Sequence, residues 1–151
     1  MKEKIAIVLG SKSDYEKLKE HFNIFSQLDI PYRMEIISAH RHPDKLRDFC
    51  KKIEKEGVLV VIACAGLSAA LPAVIASYVN IPVIGVAMKG GILDGLDALL
   101  SITSIPKGLG LVCSGVGESA FVNAIIFSLN IISFTDKTYL EKLKQLKEKF
   151  K

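Results

Sequence analysis

The hydrophobic positions of this chain fall into two alternating textures. Residues Ile5–Leu9 form an unbroken aliphatic run closed by Gly10, the pattern of a strand buried on both faces of a parallel sheet. Behind it, Ser13 or Asp14 can cap a helix whose apolar positions Tyr15, Leu18, Phe22, Phe25 and Leu28 recur at helical spacing. Pro31 introduces a second strand over 32–37. Pro43 opens a second helix at its first turn, where a missing N–H costs nothing. Leu46, Phe49, Cys50 and Ile53 form the buried stripe of that helix, and Gly57 stops it. A third all-apolar strand is predicted over 58–64, and the small-residue turn Ala65-Gly66-Leu67-Ser68 leads into a helix ending near Val79. Pro82 precedes a fourth strand over 83–86, followed by the loop Lys89-Gly90-Gly91 and a short helix over 96–102. A fifth strand is expected at 109–113, an apolar helix at 117–130 and a lysine-rich amphipathic helix at 136–151. Strands alternating with helices through short linkers imply βαβ units: an α/β three-layer sandwich, a parallel sheet with helices on both faces, in a single domain over 1–151.

Composition agrees with a packed domain. Half of the 151 residues are hydrophobic and 24% charged, so apolar burial can offset the entropy of ordering the chain. Tryptophan is absent and aromatics are 7%, so the core is aliphatic. The net charge is +4, of which residues 136–151, with six lysines and three acids, supply +3. The basic excess therefore reads as the solvated face of one helix rather than a nucleic-acid patch. Within that helix Tyr139, Leu143, Leu146 and Phe150 make an apolar stripe, which needs a partner surface on this subunit or another. Cys50, Cys64 and Cys113 are widely spaced with no CxxC; Cys64 and Cys113 sit in apolar runs and read as small core residues, which suits a reducing, cytoplasmic setting. The opening MKEKIAIVLG lacks the small-residue cleavage site of a signal peptide. No apolar stretch reaches the roughly 20 residues of a spanning helix, so no membrane partner is expected.

In parallel α/β folds ligands bind beyond the carboxyl ends of the strands. Three turns there carry candidate chemistry. Gly10-Ser11-Lys12-Ser13-Asp14 offers a tight turn, hydroxyl donors and the free N–H groups of a helix start, all suited to phosphate, while Asp14 can accept from a sugar hydroxyl. The same residues also suit an ordinary strand-to-helix turn with a Ser or Asp cap. Neither GxGxxG nor GxxxxGK[ST] is present, which disfavours dinucleotide and nucleoside-triphosphate sites. Ser38-Ala39-His40-Arg41-His42-Pro43-Asp44 follows the second strand. Arg41 presents a planar fork for phosphate, and His40 the side chain best matched to proton transfer near neutral pH. His42 reads as a surface loop residue and Asp44 as a first-turn helix charge; His-x-His without a third ligand does not indicate a metal. The third turn, from Ala65 through Pro72, is built of small residues, which admit either a ligand against the backbone or close helix-to-sheet packing.

Taken together, GSKSD, SAHRHPDKL and AGLSAALP, each after a strand, resemble the family that carboxylates aminoimidazole ribonucleotide in purine synthesis, which includes 5-(carboxyamino)imidazole ribonucleotide mutase. IPVIGV, LDGLDALLSI and IPKGLGL extend the resemblance over about residues 5–129. The resemblance implies a flavodoxin-like fold and a homo-octamer with active sites at subunit junctions, with no metal and no organic cofactor. It implies an aminoimidazole ribonucleotide substrate, with carbon dioxide as intermediate or co-substrate. By matched motif positions, Ser11 and Arg41 would bind the phosphate, Asp14 the ribose, and His40 would be the general acid/base. Ser13, Ser38, Gly66 and Ser68 would line the site.

One stretch departs from the mutase pattern AGGAAHLPG: its histidine is Ala70 here and its last glycine is Ala73. Ser68 and Ala70 resemble the branch that carboxylates aminoimidazole ribonucleotide directly with carbon dioxide, whereas Arg41, IPVIGV and GLDALLSI resemble the mutase, the reading adopted here. If Ser68 instead caps the following helix through a backbone N–H, it carries no information about substrate. A non-catalytic flavodoxin-like ribonucleotide binder is the alternative of a different class, and it would not need His40.

Overall fold

A computed structural model describes residues 2–151. Its centre is a five-stranded parallel sheet in the order β2-β1-β3-β4-β5, built from β1 (Ile5–Leu9), β2 (Tyr32–Ile36), β3 (Val60–Ala65), β4 (Val83–Ala87) and β5 (Val112–Val116). β1, β3 and β4 are buried along their whole length. The aliphatic runs follow from that position, since both faces of each central strand meet helices. Ile5, Ile7 and Leu9 with Val60, Ile62 and Cys64 feed one apolar layer; Ala6 and Val8 with Val61, Ala63 and Ala65 feed the other.

The first layer is closed by α1 (Lys12–Leu18), α2 (Asn23–Gln27), α6 (Gly117–Ser133) and α7 (Thr138–Glu148). The second is closed by α3 (Pro43–Glu56), α4 (Leu71–Tyr78) and α5 (Leu96–Thr103). Gly85 lets α4 and α5 press onto β4: a Cβ there would meet Ile102 Cγ2 at 2.7 Å and Pro72 Cβ at 3.3 Å. No helix among the described residues is long and apolar enough to cross a membrane.

Three expectations are corrected, and one open alternative is resolved. The first helix does not run unbroken: a 3-10 turn, Lys19–Phe22, separates α1 from α2. The tighter turn seats Phe22 among Tyr15 (5.7 Å between ring centroids), Phe121 (5.3 Å) and Tyr32 (5.7 Å). The fifth strand lies three residues later than expected. Pairing with β4 sets it, through Ile84 with Val112 and Ala87 with Val116 across an irregular step. As an edge strand it leaves Cys113 half-buried rather than in the core. Finally, the tail stripe folds back on its own subunit. Tyr139, Leu143 and Leu146 join the core beside Ile125, Leu129 and Ile132, while Phe150, beyond the end of α7, is exposed.

Candidate active site

The order β2-β1-β3 places the switch point of the sheet between β1 and β3, where the chains leaving the two strands diverge and open a crevice. Hydrogen bonds hold the strand ends together there. Gly10 N–H donates to the Cys64 carbonyl at 2.9 Å, Ile37 N–H to the Leu9 carbonyl at 2.9 Å, and Met88 N–H to the Ala65 carbonyl at 2.9 Å. The turns after β1, β2, β3 and β4 are thus one continuous rim.

In the first turn, Ser11 rather than Ser13 or Asp14 is the cap of α1. Its backbone is extended and its Oγ accepts from the Asp14 N–H at 3.2 Å. This frees Ser13, which is exposed, and turns Asp14 inward. Asp14 is buried, and a Cβ on Gly10 would lie 3.5 Å from Asp14 Oδ2 and 3.8 Å from Ala65 Cβ. The carboxyl therefore sits beneath the first turn on its β3 side. Burial pushes its pKa up, against lowering contributions from the Ser11 hydroxyl and the Lys17 charge. A carboxyl so placed favours a partner that restores its lost hydration, and a sugar hydroxyl is such a donor.

In the second turn, Ser38 Oγ accepts from the Arg41 N–H at 3.3 Å and the Ser38 carbonyl from the His42 N–H at 2.9 Å. Ser38 is half-buried and shapes the turn, while His40 and Arg41 project into solvent at its crest. His42 is the exposed residue preceding α3, with Pro43 in that helix's first turn. In the third turn Gly66 is half-buried, its Cα facing Met88, and Ser68 is exposed. Ser68 does not cap α4: the helix begins after Ala70, no side chain caps it, and the Ser68 carbonyl takes the Ala70 N–H at 2.7 Å. A tie to the fourth turn has no counterpart in the sequence pattern. Lys17, on α1, donates to the Lys89 carbonyl at 2.7 Å; a lysine on a helix face carries no sequence signal for such a role. Among the described residues no group of three or more His, Cys, Asp or Glu is placed to hold a metal.

Serines and helix-start N–H groups thus lie beside a buried carboxylate, with a histidine and an arginine on the adjoining turn. Residues 4–151 match the model of the AIR carboxylase family. The chain belongs to that family. It is 39% identical over 144 residues to N5-carboxyaminoimidazole ribonucleotide mutase of Haemophilus influenzae, covering 95% of this chain and 88% of that one. It is also 39% identical over 148 residues to the protein of the same name from Pyrococcus abyssi, covering 98% and 84%. Among solved structures, Treponema denticola PurE superposes with a TM-score of 0.82 at 25% identity, over 96% of this chain and 89% of that one. For this family member, sheet order and layers therefore agree with the flavodoxin-like reading of the motifs.

Proposed function

We propose that this chain, as one catalytic domain over 1–151, converts N5-carboxyaminoimidazole ribonucleotide to 4-carboxy-5-aminoimidazole ribonucleotide in purine biosynthesis. The observation that carries the reading is the convergence of the Ser11–Asp14 cradle and the His40–Arg41 crest on one rim, in a chain whose relatives bear the mutase name. Ser11 and Arg41 hold the phosphate, Asp14 accepts from the ribose, and Ser13, Ser38, Gly66 and Ser68 line the remainder. The carbamate N–C bond breaks with its electron pair left on nitrogen, which takes a proton from His40. The ring carbon attacks the released carbon dioxide, forming the new C–C bond, and the proton on that carbon returns to His40. One histidine thus closes the cycle with no net proton change.

That chemistry needs a dry pocket, yet His40, Arg41, Ser13 and Ser68 are exposed in the single chain. A second copy covering the rim meets the need, in keeping with a homo-octamer in the cytoplasm with sites at subunit junctions. A second reading, direct carboxylation of aminoimidazole ribonucleotide, is favoured by one observation: Ser68 is exposed on the rim and does not cap α4, which leaves its hydroxyl for a ligand.

Turnover assays with each ribonucleotide, with and without bicarbonate, separate the readings. The carboxyamino compound is expected to turn over without bicarbonate. His40→Asn is expected to fold and bind ribonucleotide but lose about 10²–10⁴-fold in rate; near-wild-type turnover would remove His40 from the mechanism. Activity only with aminoimidazole ribonucleotide plus bicarbonate, abolished by Ser68→Ala, would establish the carboxylase reading instead.

A further inference from the structure

Among the described residues, three other than glycine adopt a left-handed backbone: Asp29 at φ 49°, Leu67 at φ 55° and Asp94 at φ 48°. Aspartate tolerates that region because its short side chain bonds locally. Asp94 does so, accepting from the Gly90 N–H at 3.1 Å. Leucine has no such compensation, and its Cβ crowds the following carbonyl. Nor does Leu67 recover the cost by burial, because it is 62% exposed. A strained, exposed aliphatic side chain is unfavourable on both local counts. Strain of this kind persists where a site uses it.

The neighbours of Leu67 show what the conformation achieves. A Cβ on Gly91 would lie 2.7 Å from Leu67 Cδ2 and 2.5 Å from Asp97 Oδ2, and Gly91 has φ 74°. The backbone at position 91 is thus laid directly under a Leu67 methyl group, with no side chain in between. Leu67 thereby spans from the turn after β3 to the turn after β4, above the place where Gly66 faces Met88. The Lys17 bond to the Lys89 carbonyl holds the same loop from the α1 side. The Leu67 side chain is thus an aliphatic group bridging the third and fourth turns on the β4 side of the rim, whereas the first and second turns carry polar groups.

We infer that Leu67 is a substrate-shielding residue: its side chain keeps water from the carbon dioxide in transit between nitrogen and carbon. The inference rests on the carboxyl-transfer reading above. Carbon dioxide has no net dipole and accepts only weak hydrogen bonds, so an aliphatic side chain beside it helps to retain it. Without that side chain, carbon dioxide escapes and the ring is left as aminoimidazole ribonucleotide. Leu67 therefore acts on the partition of the intermediate and takes no part in the proton transfers.

The test is product partition, followed together with melting temperature and light scattering, in Leu67→Gly, Leu67→Asn and Leu67→Met. Glycine and asparagine both accept the left-handed backbone, so both variants are expected to melt no lower than wild type. Both are expected to lose about 10–100-fold in kcat/KM, the range for a missing apolar pocket contact. Both should also release enzyme-dependent aminoimidazole ribonucleotide above the rate of the enzyme-free carbamate. Leu67→Met restores apolar volume and should return the partition toward wild type. Wild-type partition in Leu67→Gly and Leu67→Asn would overturn the inference, as would a change in molar mass that accounts for the lost rate. A wild-type enzyme that fails to convert the carboxyamino compound would overturn the carboxyl-transfer reading itself.

Discussion

Asp14 shows how one residue can be costly to the fold and useful to the site. Its carboxyl is buried beneath the first turn, and burial raises its pKa above the ordinary 3.8. The folded state then holds the proton more tightly than the unfolded chain does. Its stability falls as pH rises from the ordinary value through the raised one, and the cost persists at neutral pH. Asp14→Asn is therefore expected to raise the melting temperature of the ligand-free protein at pH 7, with the gap closing below about pH 4. The same variant should weaken ribonucleotide binding roughly 10-fold or more, the size of a lost hydrogen bond to a charged group. Calorimetry and ligand titration read the two effects separately, and a lower melting temperature at pH 7 would contradict the account. Buried Cys50 and Cys64 have the opposite character to a reactive site: burial pushes the Cys50 thiol up to about 11 and raises Cys64 as well, so both stay protonated and inert.

Among the elements, α7 packs on its sequence neighbour α6 and is also tied to segments distant in sequence. Its Tyr139, Leu143 and Leu146 face the core, and its polar face is pinned by lysines. Lys142 donates to the Leu28 and Asp29 carbonyls at 2.6 and 2.7 Å, where α2 has ended and left acceptors unsatisfied. Just before the helix, Lys4 donates to Asp136 at 2.7 Å while Asp136 also accepts from Thr138. These hydrogen bonds lower the Asp136 carboxyl to about 2 from the usual 3.8. A depressed carboxylate contributes stability above its unfolded pKa and loses it as pH falls through the folded one. Hydrogen exchange of the α7 amides should therefore accelerate as pH drops from about 4 to about 2, after correction for intrinsic rates. Asp136→Asn should show the faster exchange already at pH 7. The pair is partly solvated, so the effect is expected to be modest and to shrink with added salt. Equal protection of the variant and wild type at pH 7 would remove this contact as the anchor of the helix.

On the scale of the whole molecule, the rim of the sheet carries more exposed apolar surface than a lone chain favours. Ile92 is 95% exposed, Leu93 53%, Leu96 49% and Leu100 51%, all in the turn after β4 and on α5. The proposed octamer would cover these aliphatic groups with another copy of the chain. Light scattering at micromolar concentration is expected to give eight times the mass of one chain. A monomer would exclude the octamer and leave the open rim without its cover.

The strands, most helices and the strand-end turns were legible because local spacing determines them. A run buried on both faces must be aliphatic, and a half-buried helix must repeat every three to four residues. Ser11, Ser13, Asp14, Ser38, His40, Arg41, Gly66 and Ser68 could be placed on one rim for the same reason, since each follows a strand. Long-range pairing decided the rest. The β4 backbone chose Val112–Val116 from a glycine-flanked apolar stretch that offered several registers. Competition for N–H groups made Ser11 the cap and sent Asp14 inward. The alternatives for the tail stripe were resolved by α6, not by the stripe itself. The Lys17 tie and the left-handed Leu67 depend on how the β4 loop folds over its neighbours. Periodicity along a chain records which face is buried; which groups meet across a rim depends on contacts far apart in sequence.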